Sequence, residues 1–346
     1  MRPLRMFLLI LPAGLMLLTG PLFAADPLFA SDQLFDLKKA ADGVYLAVAR
    51  PQTKINSNAA VIVLEDGVLI VDTHSKPSAA RALMEQIKTV TSKPVRYVVD
   101  THFHWDHYQG NAAYPQSYPE GLEIISSAQT RRNIVNIGLP RIRNEIVRLP
   151  KAIETMRQEM ARATGDRRRE LAEEIRGTQQ YLDELKSTEA VVPNLTFENS
   201  LSIYRKDRTV QILFMGRAHT DGDVIVYLPR EKIVATGDLL QGKMPYMGDS
   251  HPFEWIRTLA ALEKLDFETV LPGHGDLLKG KQRLRLWKEY LTDLMRQVSE
   301  LYSQGATLEE TLRSVDLSSY ESRIPGFRGS VAGNIEKAYR VISFED

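Results

Sequence analysis

Four potential metal ligands stand within six positions in Thr101-His102-Phe103-His104-Trp105-Asp106-His107, close behind the apolar run Val95–Val99. A short apolar run bounded by polar residues reads as a buried strand, so the cluster lies where a strand leaves its sheet. Alternate side chains of an extended segment point the same way, which puts His102 and His104 together. Asp106 and His107, at the end of the loop, can turn towards a neighbouring point. One loop can therefore serve two metal ions, provided that other strand ends bring further ligands to it.

Three later segments have that form. Gly216–Asp223, containing His219, precedes a strand; Ala235-Thr236-Gly237-Asp238 ends one; and Leu271-Pro272-Gly273-His274-Gly275-Asp276 follows another. Imidazole and carboxylate suit zinc. The chain contains no cysteine, which removes thiolate ligands and disulfides from consideration.

The spacing around these segments predicts an α/β layered fold. Strands are expected at Gly43–Ala49, Ala59–Leu64 and Val68–Val71, with a hairpin turn at Glu65-Asp66-Gly67. A helix over Pro77–Val90, with Pro at its start, leads to the strand Val95–Val99. Strand and helix alternate again through Asp223–Leu228, Ile233–Thr236, a helix over about Pro252–Lys264, and Thr269–Leu271, so two similar halves emerge. The segment 140–187 differs in kind. Ile142, Ile146, Leu149, Ile153, Met156 and Met160 step by four and three, Gly165-Asp166 breaks the run, and Leu171, Ile175, Leu182 and Leu185 resume it. This is a charged helical hairpin inserted in the domain, with Pro150 expected to kink its first helix. Its apolar seam can join the two helices, lie over the domain or meet a second copy in a homodimer. Arg167, Arg168 and Arg169, followed by Glu170, Glu173 and Glu174, read as a solvated helix face. From Lys281, Leu284, Trp287, Leu291, Leu294 and Val298 predict an amphipathic helix, so 281–346 reads as a helical extension packed on a domain of 26–280.

At the start of the chain, Arg2 and Arg5 precede the apolar run Met6–Leu18, and small residues follow at Ala24 and Ala25. Residues 1–25 thus read as a secretory signal peptide, and the apolar run is short for the alternative, an uncleaved anchor. A periplasmic or secreted location follows, with no stable membrane insertion after cleavage. Lys plus Arg and Asp plus Glu balance at 44 each, so no overall field favours nucleic acid as a partner. Gly237–Met244 nearly fits a phosphate loop, but Met244 lacks the hydroxyl that would hold Mg²⁺. Asn194-Leu195-Thr196 is a glycosylation sequon.

In this order the ligand segments resemble those of the metallo-β-lactamase superfamily, over about Gly43–Asp276 without the insertion. Together with Asn58-Ala59-Ala60, Val71-Asp72-Thr73-His74 and Gly110-Asn111, the chain looks most like exported zinc metallohydrolases associated with quinoprotein systems. The resemblance implies an αββα sandwich carrying the site at one edge, the helical hairpin being an insertion and the tail a helical extension. It implies two zinc ions, with iron or manganese as other candidates: His102, His104 and His219 around one, Asp106, His107 and His274 around the other, and Asp238 bridging. It further implies hydrolysis of an ester, lactone, thioester or amide carbonyl in a small-molecule substrate by a metal-bridging hydroxide, with Asp106 as ligand and catalytic residue. A carboxylate at 238 tilts the substrate away from β-lactams, which stand as the runner-up. Iron dioxygenases acting on persulfides use the same ligand pattern with one metal, and a non-catalytic metal-binding accessory protein is the remaining alternative. Asp72 is suited either to orient a ligating histidine or to cap its turn, and His74 either to support the site or to the core. His251, before Pro252, reads as structural. The substrate pocket is expected to draw on Gln52–Ser57, on Gly242–Pro252 with Tyr246, and on the insertion.

Overall fold

The apolar runs of the first half build a seven-stranded sheet whose strands lie in chain order. Strand β1 (Phe35–Ala41) pairs with β2 (Val44–Ala49), β2 with β3 (Ala59–Val63) and β3 with β4 (Val68–Val71), all antiparallel. Helix α1 (Pro77–Ile87) then crosses over to set β5 (Val95–Val99) parallel to β4. Two short helices follow, α2 (Trp105–Tyr108) and α3 (Ala113–Ser117), before β6 (Glu123–Ser127) joins in parallel and leads into α4 (Ala128–Asn133). The chain next leaves the sheet as α5 (Leu139–Arg162) and α6 (Gly165–Ser187) and returns as β7 (Leu195–Phe197), parallel to β6. The structure, a computed structural model, describes residues 34–51, 56–206 and 208–344, so the signal segment read at 1–25 lies outside the described residues.

The second sheet contains β8 (Ser200–Tyr204), β9 (Thr209–Phe214), β10 (Val224–Leu228), β11 (Ile233–Gly237), β12 (Thr269–Pro272) and β13 (Leu278–Lys279), again in chain order. Its one parallel pair, β11 with β12, is connected through α7 (Pro252–Leu262). Strand alternation assigns the faces. Leu46, Ile62, Val71 and Val99 of the first sheet meet Val210, Ile212, Val226 and Leu271 of the second in a core between the sheets. The alternate residues Ala47, Val61, Ile70 and Val98 face outwards onto Leu83, Met84 and Ile87 of α1. On the opposite outer face, Ile225, Val234 and Val270 meet Trp255 of α7 and Trp287 of α8 (Gln282–Ser303). The expected αββα sandwich is thus present. Its tail continues as α9 (Leu308–Ser314) and α10 (Phe327–Ser343), whose Ile335 and Ala338 share the core beneath α8. Fully burying a side chain of the size of Ile335 is worth about 1.5–3 kcal/mol, and this extension shares the cluster that α7 and α8 build on the second sheet.

The insertion seam closes first on itself: Leu149 and Ile153 of α5 pack against Leu182 and Leu185 of α6. Helix α5 runs unbroken through Pro150, and the interruption falls at Ala163-Thr164, just before the Gly165-Asp166 expected from the sequence. The hairpin is also tied to the sandwich. Glu184 accepts hydrogen bonds from the backbone and hydroxyl of Ser78, at the positive N-terminal end of α1. Arg167 and Arg169 pair with Glu159, Glu170 and Asp166 on an exposed face, which is the solvated arrangement read from the sequence.

Candidate metal centre

The parallel pairs β4/β5 and β11/β12 place four strand ends side by side. From these ends emerge Asp72, the loop containing His102 to His107, Asp238 and His274, and the segment before β10 brings His219. All seven sequence-predicted site residues come together here. His102, His104 and His219 form one group whose ligand atoms lie within 4.8 Å of one another; Asp106, His107 and His274 form a second; and His102, His107 and Asp238 form a third between them. Their closeness depends on missing side chains. A Cβ at Gly273 would meet Asp238 Oδ1 and His107 Cε1, and one at Gly237, where φ is +50°, would strike Thr101.

Each ring is fixed through the nitrogen facing away from the site. His107 Nδ1 lies 2.8 Å from Asp72 Oδ2, His219 Nδ1 3.0 Å from Tyr246 O, and His274 Nδ1 2.7 Å from Asn56 O. His102 Nδ1 lies 3.0 Å from the Thr101 hydroxyl, which donates to Asp72 Oδ2. Such partners select the tautomer that leaves Nε2 free to bind metal. His104 is turned the other way: its Nε2 faces Asp249, and its Nδ1 lies 2.9 Å from His219 Nε2. His102 Nε2, His107 Nε2 and Asp238 Oδ1 are buried without a hydrogen-bond partner. Buried polar atoms normally have partners, so three orphaned atoms converging on one point fit a cation.

The electrostatics point the same way. Burial pushes His219 down to about 3 and holds His102 well below the usual imidazole range, so both are neutral donors. Burial also works against a charged His107, but Asp106, Asp72 and Asp238 outweigh it and raise this imidazole to about 10. Burial opposes ionisation of Asp238, yet His274 and His107 keep it well below the carboxylate range. The carboxylates therefore draw positive charge into the site, by a proton in the metal-free chain or by metal ions in its place.

Asp72 performs the orienting role, and its Oδ1 also accepts from Thr101 N. His74 belongs to none of the ligand groups: it stacks on Phe35 and its Nδ1 faces Ser57 O. His251 precedes α7, its backbone N–H donating to Ala218 O. Two residues in contact with the site were not singled out by sequence. Asp249 receives His104, and Arg141 of α5 binds Asp249 with two nitrogens at 3.0 and 3.1 Å. The only sequence signal for Asp249 is its position just before a helix start, and Arg141 resembles any other charge on the hairpin. A cavity of about 830 Å³ opens over the ligands, walled by Pro51, Asn56, Lys243, Tyr246 and Arg141; of the expected pocket turn, residues 52–55 lie outside the described residues.

A sequence model of the metallo-beta-lactamase superfamily matches residues 53–129 and 144–274, more than half of the chain. The chain belongs to the metallo-beta-lactamase superfamily. The curated linear primary-alkylsulfatase of a Pseudomonas species is 23% identical over 300 residues, covering 81% of this chain and 54% of the relative, so this superfamily member spans about half that relative's length. The metallo-beta-lactamase type 2 of Bacillus cereus is 23% identical over 229 residues, 64% of this chain and 68% of the relative. Among solved structures, the metallo-beta-lactamase from Pontibacter korlensis superposes with a TM-score of 0.54 at 18% identity, covering 75% of this chain and 99% of that one. FIM-1 from Pseudomonas aeruginosa, in its mono-zinc form, gives 0.53 at 18% identity, with coverage of 75% and 95%. These likenesses show the shared fold.

Proposed function

We propose that the chain is an exported two-zinc hydrolase of esters, lactones or thioesters. His102, His104 and His219 would hold one ion, and Asp106, His107 and His274 the other, with Asp238 between them. One observation carries the two-ion reading. Oxygens of the Asp238 carboxylate lie 3.5 Å from His107 Nε2, 3.5 Å from His219 Nε2 and 3.3 Å from His274 Nε2, so a single side chain faces members of both ligand groups. Zinc, when bound, would supply Lewis acidity at a carbonyl and a water of lowered pKa.

The chain's own residues set the conditions for that chemistry. Asp72 and Thr101 fix the rings of His107 and His102, so the ligands are positioned before substrate arrives. Asp106, whose Oδ2 is 3.4 Å from His274 Nε2, is placed at the cavity floor to accept a proton from the attacking water. Burial raises the Tyr246 phenol above its ordinary value, with Asp249 adding to the shift, so at neutral pH it remains a hydrogen-bond donor for a substrate oxygen.

A sulfate ester is the second reading, favoured by the primary-alkylsulfatase that matches 81% of this chain. Metal content after purification without chelators separates the main reading from its rivals: two zinc ions per chain support it, whereas a single iron would support the dioxygenase alternative. Zinc-loaded protein is then screened against a lactone panel, acyl-thioesters, an alkyl sulfate and nitrocefin, the last testing the β-lactam runner-up. Metal-dependent turnover of none of them would favour the accessory protein. Export rests on Arg2, Arg5 and the apolar run Met6–Leu18, and is tested by N-terminal sequencing of protein recovered from a bacterial periplasm.

A further inference from the structure

A second cavity, of about 860 Å³, lies between the helical hairpin and the metal loop. Phe103 and Trp105 of the loop, Ile142 and Leu149 of α5 and Tyr181 of α6 supply its apolar walls. Trp105 and Arg141 line this cavity and also the one over the metal ligands, so the two spaces meet across these side chains. Each is the size of a small-molecule site.

Both shared residues are held in place. The Trp105 ring lies 6.2 Å from that of Tyr181, whose hydroxyl donates to Gln109. The Arg141 guanidinium sits over the Phe103 ring at 5.4 Å while binding Asp249. Trp105 remains 40% exposed although it stands between His104 and Asp106 in sequence. The charged wall residues balance in sign, Lys76, Arg141 and Arg148 against Glu145, Glu173 and Glu174, and Glu145 is paired with Arg148. Gly177 lies inside α6 on the cavity wall, where glycine is the least favoured helix residue after proline. A Cβ there would meet no atom within 4 Å, so the helix is thinned where it borders the space.

We propose that this cavity is a tail subsite of the metal pocket, taking the straight apolar chain of a substrate whose scissile head lies at the ligands. This rests on the hydrolase reading above and narrows its substrate class to amphiphiles with an acyl or alkyl tail. The exposed Trp105 and the half-buried Ile142 and Tyr181 gain by covering such a chain, and Arg141 at the junction is suited to the polar head. The insertion thereby acquires a role in specificity.

The test titrates straight-chain carboxylates from acetate to decanoate into the zinc-loaded protein by calorimetry. Affinity is expected to rise about fourfold per added methylene. Gly177→Trp from α6 and Asn144→Trp from α5 fill the space from two different helices of its wall, and each should flatten that rise. Both positions are exposed, and because the plugs stand on different helices, failure of one to fold leaves the other. A flat series in the unmodified chain, or a rise that survives both plugs, would overturn the proposal. The readout needs no turnover, so a chain that binds the series with the expected increments yet hydrolyses nothing in the screen keeps the subsite and counts against the hydrolase reading alone.

Discussion

His104 is held from behind by Asp249, with His104 Nε2 2.9 Å from Asp249 Oδ2. That contact decides which nitrogen of the ring is left for metal, and Arg141 in turn fixes Asp249 from the hairpin. Burial opposes the charge on Asp249, but His104 and Arg141 bring its carboxyl well below the ordinary range, so it stays ionised. Removing such a supporting carboxylate typically costs 10–100-fold in metal affinity. Asp249→Ala is therefore expected to weaken zinc binding by about 10-fold or more, and Arg141→Ala by less, in competition titrations with a chromophoric chelator. An affinity within twofold of the unmodified chain would remove Asp249 from the site's support.

Asp238 and Asp106 bear on both metal number and chemistry. Asp238→Ala removes the carboxylate that faces both ligand groups, and zinc content by mass spectrometry should fall from two towards one per chain. Asp106→Ala should lower turnover of any substrate found in the screen by about 100-fold or more, the usual scale for a lost proton acceptor. Full activity with two ions bound would contradict both assignments.

The ligand set was legible in the sequence because each ligand segment adjoins a short apolar run, and such runs announce strands. The supporting residues were less so. Asp249 and Arg141 act across gaps of 145 and 108 positions, and local spacing carries no information about such pairs. Strand β1 is absent from the strands expected from sequence because its FDLKKAA exposes Asp36 and half-exposes Lys38, as an edge strand does. Strand β8 escaped for the same reason, with Ser200, Ser202 and Tyr204 exposed. In the tail one helix was visible and three α-helices lie among the described residues: α8 carries the full apolar seam, whereas α9 buries only Thr311. The second cavity could not be read at all, since its walls come from the metal loop and two helices of the insertion.

Close backbone approach predicts sensitivity to small additions. A Cβ at Gly110 would collide with the Thr73 carbonyl, which is backbone and cannot swing aside. Gly110→Ala is expected to cost about 2 kcal/mol or more in urea unfolding, within the range for overpacking. Gly273→Ala would instead press on Asp238 and His107, so its larger effect should be on zinc affinity. Equal, small effects of both changes in both measurements would show that the loops relax around an added methyl group.

Asp223 sets a pH dependence that the metal-free chain should display. Burial raises its carboxyl from 3.8 to about 8, against the opposing hydrogen bonds from Thr220. Below about pH 4 the group is protonated in both folded and unfolded chains, and above about 8 it is ionised in both. Between these values the folded chain keeps a proton that the unfolded chain releases, so stability falls as pH rises, by at most about 1.4 kcal/mol per pH unit from this group. Asn at this position can accept from Thr220 N and donate to its hydroxyl, replacing both bonds without a titrating group. His107, raised to about 10, also favours the folded chain at lower pH, but its contribution is lost mainly above 6.5 and is common to both proteins. Urea unfolding from pH 5 to 8 should therefore show a shallower decline in Asp223→Asn than in the unmodified chain, and parallel curves would mean that Asp223 is ionised in the folded protein throughout.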